Sequence, residues 1–168
     1  VYGLKEDMTG TTFYLQKAYD ECKEDGKADE EVCYLLMSVY MTADNYEKVI
    51  ALSKEVCEVS ENDTYINIAK FYQAEAYRHL NNEVEAKRAY EETVKRCRAT
   101  VLSNPAALDA YMLRGLSLSK LGQHEKGLEM IDYVLTIAPD SAEIHAAKAA
   151  VLKEMGRISE MEVEVKKT

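Results

Sequence analysis

A small set of residue types recurs along this chain at intervals close to 34 residues, and this repetition restricts the fold more than any other feature. In the clearest stretch, the aromatic Tyr111 is followed by small Gly115 and then by Leu121 and Gly122. Two helices that cross closely need a small residue where their backbones meet and large residues on either side. The pattern therefore predicts a series of antiparallel helix pairs.

The same register fits the rest of the sequence. The residues at the predicted helix crossings are separated by 34, 37, 41 and 34 positions. These crossing residues are Gly3, Met37, Ala74, Gly115 and Ala149. Excesses of three and seven residues equal about one and two helical turns of roughly 3.6 residues, so a helix can lengthen without changing its buried face. We therefore predict an extended helix from about Val84 to Ser103 and a loop near Ser60 to Thr64.

This register resembles the tetratricopeptide repeat (TPR), a helix pair of about 34 residues with a characteristic aromatic, Leu-Gly, alanine and proline pattern. Gly115 and Pro139 match the family pattern, whereas Arg114 and Leu118 replace its usual Leu and Tyr. The resemblance implies an all-α fold, a right-handed superhelical array of antiparallel helix pairs with about ten helices. Such a TPR-like α-solenoid buries a continuous core between stacked units.

We predict a single repeat domain that covers residues 1–168. Its units are a partial first unit at 1–29, three units at about 30–66, 67–107 and 108–141, and a partial last unit at 142–168. Gly3 and Gly10 take the crossing and turn positions of the first unit, and Leu15, Tyr19 and Cys22 form its buried stripe. Since both terminal units are incomplete, we expect this chain to be a segment of a longer protein.

Polar residues and prolines predict several helix boundaries. Asn104 and Pro105 are typical of a helix start, with a capping side chain and a proline at the first helical position. Asp140 with Glu143 resembles a capping box. The alternating residues 162–165 are compatible with a strand, but apolar residues at spacings of three and four favour a terminal helix.

The charge distribution argues against nucleic acid as a partner. The chain has 30 acidic and 21 basic residues, a net charge of −9, and residues 1–64 hold 15 of the acidic and 6 of the basic ones. Phosphate contacts require a basic surface. The basic cluster is Lys87, Arg88, Lys95, Arg96 and Arg98, interleaved with four glutamates. We interpret it as a solvated helix face, with a docking patch for an acidic partner as the alternative.

Neither catalytic nor metal-binding patterns are present, so we predict no enzyme activity, cofactor or metal. The histidines are scattered and the cysteines lack zinc-site spacing. These residues are His79, His124 and His145, and Cys22, Cys33, Cys57 and Cys97. No run of 18 apolar residues exists, so no membrane span is expected. Unpaired cysteines suit a reducing compartment, and we expect the cytoplasm.

The resemblance implies that a partner binds along the concave surface, which the first helix of each pair lines. We therefore predict a protein-interaction scaffold or adaptor that holds a peptide segment with apolar anchors and an acidic group near Arg78 and Lys120. The predicted groove residues are Tyr34, Met41, Phe71, Glu75, Arg78, His79, Met112, Leu116, Lys120 and Lys153. Alternatively, Tyr34 and Phe71 pack only between neighbouring helices.

One specialised ligand can be tested on the sequence. Co-chaperone members of the family hold a carboxy-terminal carboxylate with Lys, Asn and Arg at fixed positions of three inner helices. The matching positions here are Tyr34, Ser38, Tyr72, Asp109 and Leu113. None matches, so we predict no such carboxylate clamp. The alternative function is a structural array that self-associates through its open terminal helices or acts as a spacer between domains of a larger protein.

Overall fold

The structure, a computed structural model, describes the backbone of residues 2–24 and 29–168 and the side chains of residues 10–23 and 29–168. Within those residues the chain forms nine α-helices and no strand, which confirms the predicted all-α, TPR-like solenoid class. The helices are α1, Tyr2–Glu24; α2, Glu30–Thr42; α3, Tyr46–Val59; α4, Asp63–His79; α5, Glu83–Ser103; α6, Leu108–Lys120; α7, His124–Ile137; α8, Ala142–Glu154; and α9, Ile158–Val165.

The first of two compact units, unit 1, spans Val1–Ala86, and α2 lies at its centre. α2 begins after Asp29, whose carboxylate accepts hydrogen bonds from two backbone N–H groups of the first turn and so caps the helix. α2 packs against α1, α3 and α4. Leu36, Met37 and Val49 are almost fully buried in the resulting core.

The second compact unit, unit 2, spans Lys87–Thr168. In it, α6 packs against α7 and α8, and α8 also packs against α9. Ile131 and Val134 of α7 and Leu152 of α8 are almost fully buried in its core. The prediction of a single domain stays a prediction.

Four turns, each of which joins the two helices of one pair, share one backbone conformation, which confirms the predicted register. In each turn one residue has positive φ, and the next backbone N–H donates to a carbonyl five residues earlier at 2.8 Å or 2.9 Å, the Schellman arrangement. The positive-φ residues are Asp44, Asn81, Gly122 and Gly156. They are 37, 41 and 34 positions apart, the same intervals that separate the last four crossing residues.

The crossing of α6 and α7 is close enough to require glycine on both helices. A Cβ atom at Gly115 would lie 2.8 Å from the carbonyl oxygen of Gly127, and a Cβ at Gly127 would lie 2.5 Å from that of Gly115. Real Cβ atoms do not approach backbone oxygens so closely. The prediction that Gly115 marks a close helix crossing is therefore confirmed.

The first unit departs from the prediction, because α1 is a single helix that runs through Gly10. Gly10 does not have the positive φ that the other four turns use, so it forms no turn. The described residues therefore contain nine helices, one fewer than the approximate count of ten. The predicted buried stripe is confirmed for Tyr19, which is buried, and for Leu15, which packs on the same core, whereas Cys22 is only half-buried.

Two predicted caps are also wrong. The Asn104 side chain accepts from the N–H of Ala106 at 3.1 Å, so it closes a turn, and α6 starts only at Leu108. At the start of α8, the capping residue is Ser141 rather than Asp140. A capping box on Ser141 needs Glu or Gln three residues later, where the chain has Ile144.

The two predicted length changes are present. α5 has 21 residues, against 14 in each of α3 and α7, which confirms the extended helix. The loop before α4 covers residues 60–62, and Asn62 caps α4 by accepting from the N–H of Thr64 at 3.0 Å. The alternating segment at the end of the chain lies in α9, as the favoured interpretation predicted.

Candidate functional site

In unit 1, the predicted groove residues lie on the two inner helices, α2 and α4, which pack against each other. Tyr34, Met41 and Phe71 are half-buried, so part of each side chain remains open to solvent. The ring of Tyr34 meets the ring of Tyr72 edge to face, with centroids 6.2 Å apart and planes at 65°. Tyr72, which sequence reasoning did not include in the groove, therefore belongs to the same aromatic surface.

The charged end of this surface is a cluster in which Arg78 already has protein partners. Its guanidinium donates to the Glu75 carboxylate at 2.7 Å and lies 3.1 Å from His79 Nε2. Since a guanidinium only donates, His79 Nε2 accepts in this arrangement. The His79 ring stacks on Tyr46, with centroids 4.8 Å apart. A ligand carboxylate that binds Arg78 must therefore compete with Glu75.

Tyr46 is held in turn by the α2–α3 turn. Its hydroxyl donates to the Asp44 carboxylate, and that bond raises the pKa of Tyr46 above its ordinary value. Asp44 has positive φ in the turn, so the turn conformation positions the carboxylate that orients the stacked ring. Sequence reasoning missed this link because the side chains of Tyr46 and His79 meet across 33 positions.

In unit 2, the predicted groove residues lie on α6 and α8, but they differ in exposure. Met112 is only 8% exposed and packs in the core with Ile144 of α8, so it offers little surface to a ligand. Leu116 is half-buried against the same core. Lys153 is exposed. The apolar surface in this unit is therefore smaller than the four predicted residues implied.

Lys120, the remaining predicted cation, pairs with Glu154 of α8. Its ammonium lies 2.5 Å from the carboxylate, and its side chain is only 17% exposed. The two residues are 34 positions apart, so they occupy the same place in successive units. Stacking of units brings such positions together. A search for opposite charges at the repeat interval would have found this pair.

A buried ionic cluster in unit 2 also escaped sequence reasoning. His145 Nε2 lies 2.8 Å from the Pro139 carbonyl oxygen, and Nδ1 lies 2.6 Å from the Glu164 carboxylate. His145 and Glu164 are each 6% exposed. Burial alone raises the pKa of Glu164, but hydrogen bonds from His145 and Lys167 and the charge of Lys148 outweigh it and hold that pKa below its usual value. The cluster joins α8 to α9.

The cysteines have the properties of packing residues. All four thiols are free. Burial raises the pKa of Cys33 to about 11 and that of Cys97 to about 12. Since the thiolate is the nucleophile, these two thiols are unreactive at neutral pH.

The described residues contain neither a metal-type cluster nor a helix suited to a membrane. Across residues 10–23 and 29–168, no three His, Cys, Asp or Glu side chains are grouped as a metal would require. In the same part of the chain, no helix combines the length and the apolar character that a membrane span needs.

Comparisons with known proteins agree with this architecture. Residues 69–98, which cover most of α4 and the first part of α5, match the family model of the tetratricopeptide repeat. No curated protein matches the chain in sequence.

Several solved structures have the same fold. A thermophilic TPR protein from Thermus thermophilus is 21% identical with a TM-score of 0.68, over 97% of this chain and 81% of that one. A MamA structure designated AMB-1 is 17% identical with a TM-score of 0.53, over 99% of this chain and 90% of that one. A second MamA structure is 20% identical with a TM-score of 0.51, over 98% and 88% of the two chains. At these identities the likeness concerns the fold.

Proposed function

We propose that this chain, which has one matched tetratricopeptide repeat and the fold of TPR proteins, is a non-enzymatic scaffold that binds a peptide segment of a partner protein. The general role of the family is protein interaction. The finer proposal is that the inner helices α2 and α4 of unit 1 provide the main binding surface.

One observation carries this proposal, namely the half-buried aromatic surface of α2 and α4. Tyr34 and Tyr72 form an edge-to-face pair, and Phe71 is half-buried beside Tyr72 in the sequence. Aromatic side chains in partly open positions supply much of the binding energy in protein interfaces. A ligand with apolar anchors gains by covering these rings, since each square ångström of apolar surface removed from water contributes about 25 cal/mol.

The charged cluster next to these rings supports an acidic group in the ligand. Arg78 and Glu75 form a pair on the surface, and the Arg78 side chain is 37% exposed. A ligand carboxylate that takes the place of Glu75, whose side chain is 14% exposed, keeps the guanidinium paired with an anion. In unit 2, Lys153 and the Lys120–Glu154 pair offer the same chemistry on α6 and α8.

The test is affinity capture of native partners followed by binding of peptides from each captured protein. We expect Phe71→Ala combined with Arg78→Glu to lower peptide affinity at least tenfold. The matched control is Phe13→Ala combined with Arg98→Glu, which changes the same residue types at exposed positions of α1 and α5. Equal affinities of a folded groove variant and the control would exclude the inner surface as the binding site.

The alternative function is a self-associating structural spacer, which exposed apolar residues on α1 and α9 favour. Phe13 and Tyr14 of α1 are 64% and 71% exposed, and Val163 and Val165 of α9 are about half exposed. If these faces join copies of the chain, sedimentation will show a concentration-dependent oligomer that Phe13→Ala with Tyr14→Ala abolishes. A monomer at all concentrations would contradict the spacer function.

We propose the cytoplasm as the compartment, because four free thiols are kept reduced there. Fractionation of cells that express the protein, together with alkylation of its free thiols, tests this location. Disulfide-linked protein recovered from an oxidising compartment would contradict it.

A further inference from the structure

A cleft of about 230 Å³ in unit 1 lies away from the inner aromatic surface. α1 and α3 both pack against α2, and the cleft opens between them. α2 contributes Leu36 and Tyr40 to it, whereas Tyr34 of the same helix meets α4. The lining residues are Gln16, Tyr19, Leu36, Tyr40, Lys48, Ala51, Leu52 and Glu55.

The floor of the cleft is apolar and aromatic. Leu36 is 1% exposed and Leu52 is 6% exposed. The rings of Tyr19 and Tyr40, 8% and 4% exposed, form the rest of the floor. Such a floor suits the hydrocarbon stem of a long side chain, and tyrosine faces attract a cation.

The rim supplies the carboxylate of Glu55, and two of the chain's own ammonium groups lie close to the lining residues. Lys23 Nζ lies 3.0 Å from Glu55 and 5.4 Å from the centroid of the Tyr19 ring. Lys48 Nζ lies 5.0 Å from the centroid of the Tyr40 ring. These contacts mark positions where this cleft stabilises a positive charge.

The titration of the lining groups agrees with cation recognition. Burial and the adjacent Glu55 raise the pKa of Tyr19 to about 12, so its hydroxyl remains neutral. Burial alone raises the pKa of Glu55, but hydrogen bonds from Tyr19 and Lys23 outweigh it and keep that pKa below its usual range. Glu55 is therefore an ionised acceptor at neutral pH.

We propose that this cleft is a second binding site, which takes an arginine side chain from a basic segment of a partner protein. The stem of the arginine lies on Leu36, Leu52 and the two tyrosine rings, and its guanidinium replaces Lys23 at Glu55. Displacement of Lys23 costs little because its side chain is 58% exposed. A guanidinium also binds a carboxylate through two parallel hydrogen bonds, which an ammonium cannot do.

Charge complementarity favours a basic partner over an acidic one. Residues 1–64, which include the whole cleft, hold 15 acidic and 6 basic side chains. This field attracts a basic segment and repels an acidic one. The site therefore differs from the proposed groove in its location, its helices and the sign of the ligand charge.

The first experiment uses the folded chain and a capped peptide, Ala-Ala-Leu-Arg-Leu-Ala-Ala, at physiological salt. The control peptide carries citrulline, a neutral analogue, in place of arginine. We expect only the arginine peptide to shift the methyl NMR signals of Leu36, Ala51 and Leu52. Glu55→Gln will weaken this binding about tenfold or more, since hydrogen bonds between charged groups are the stronger class.

Glu58→Gln is the matched control variant, because Glu58 is exposed on α3 outside the cleft. It removes the same charge, so a general field effect would weaken binding equally in both variants. We expect less than a twofold change for Glu58→Gln. Equal losses in the two variants, or equal binding of the arginine and citrulline peptides, would overturn the proposal. Preferential binding of a glutamate peptide in the cleft would also overturn it.

A second pair of variants tests the displacement of Lys23. Lys23→Ala frees Glu55 and is expected to tighten binding of the arginine peptide about threefold, the magnitude of an exposed ion pair. Lys17→Ala removes an equal charge from the same helix, where Lys17 pairs with Glu21 in the exposed i,i+4 arrangement. An equal effect of both variants would contradict displacement of Lys23. We expect these variants to leave peptide binding at the inner aromatic surface unchanged. The proposals for the two sites are therefore tested independently.

Discussion

The helix pair α2–α3 of unit 1 and the helix pair α6–α7 of unit 2 form the same crossing with opposite residues. At the equivalent positions of unit 1, Met37 and Val49 are both nearly fully buried in one core. Unit 2 places Gly115 and Gly127 there, 78 positions later in each case, with backbone against backbone. The comparison shows that one helix-pair arrangement tolerates either two large side chains or none, provided that the gap between the helices is filled.

A second difference concerns the position just before the crossing residue. Unit 1 has Leu36 and Gln73 there, and unit 2 has Arg114 and Lys148. The Arg114 guanidinium lies 3.9 Å from the sulfur of Met130, and Lys148 lies 2.8 Å from Asp132. Unit 2 therefore places two cations at a position where α2 of unit 1 has an apolar side chain.

The largest expected effect is that of Met37→Ala in unit 1. The change leaves a cavity between α2 and α3 that the surrounding helices fill only partly, so we expect a loss of about 2–5 kcal/mol in the free energy of unfolding. Urea denaturation measures this loss of unfolding free energy. Met37→Leu conserves volume and should cost less than about 1.5 kcal/mol. Similar losses for the two variants would mean that side-chain volume does not hold this crossing open.

The next effect concerns the buried cluster of unit 2. Glu164→Gln removes the carboxylate that balances His145 and Lys148, and we expect a loss of about 3 kcal/mol at neutral pH. Because the pKa of Glu164 is lowered in the folded protein, its contribution is present above the unfolded pKa of about 4.3 and is lost as the pH falls through the folded pKa.

The free energies of unfolding of the wild type and of Glu164→Gln should therefore differ at pH 7 and converge as the pH falls below about 4. Hydrogen exchange of α9 amides reports the same change locally. Glu162→Gln is the control, because Glu162 is an exposed residue of the same helix. A constant difference between wild type and Glu164→Gln at every pH would contradict this interpretation.

Gly115→Leu tests the close crossing of unit 2. The added side chain meets the backbone of Gly127, which cannot rotate away, so we expect a loss of about 1–3 kcal/mol. Gly10 of α1 is the control, since a Cβ there meets nothing within 4 Å. Gly10→Ala should stabilise by about 0.5–1 kcal/mol through helix propensity. Unchanged thermal stability of Gly115→Leu would show that the crossing is misplaced.

The smallest effect distinguishes the turns of the two units. Unit 1 uses Asp44 and Asn81 at positive φ, whereas unit 2 uses Gly122 and Gly156. Gly122→Ala should cost about 1–2 kcal/mol, because alanine is strained in the left-handed region. Gly122→Asn should cost less, since asparagine tolerates that region and already serves in unit 1. Equal losses of unfolding free energy for Gly122→Ala and Gly122→Asn, measured with denaturant, would contradict this explanation of the two turn types.

Much of the fold could be predicted because the same residue pattern recurs in several units, so a register assigned in one unit can be checked in the next. The intervals of 37, 41 and 34 recur in the positive-φ residues of the turns. The failed predictions concern single local signals. Gly10 is a helix residue because the chain around it has no left-handed turn, and Asn104 bonds to the N–H of Ala106 within its own turn.

The candidate site was less predictable, because side-chain partners come from helices that are distant in the sequence. The bonds of Arg78 to Glu75 and His79 lie within α4, but the stacking of Tyr46 on His79 depends on how α3 and α4 pack. Met112 was expected at the surface and is in the core, because α6 turns that face toward α8.

The amino-acid sequence by itself determined the helix pairs, their register and the long α5, since these depend on apolar periodicity and on small residues within one or two turns of chain. Only the tertiary structure decided which charges are paired, which aromatic rings meet and where a cleft remains. The physical reason is the distance along the sequence between the residues that interact. Helix formation and turns depend on neighbours in the sequence, whereas pairs such as Lys23–Glu55 and His145–Glu164 depend on the packing of separate helices.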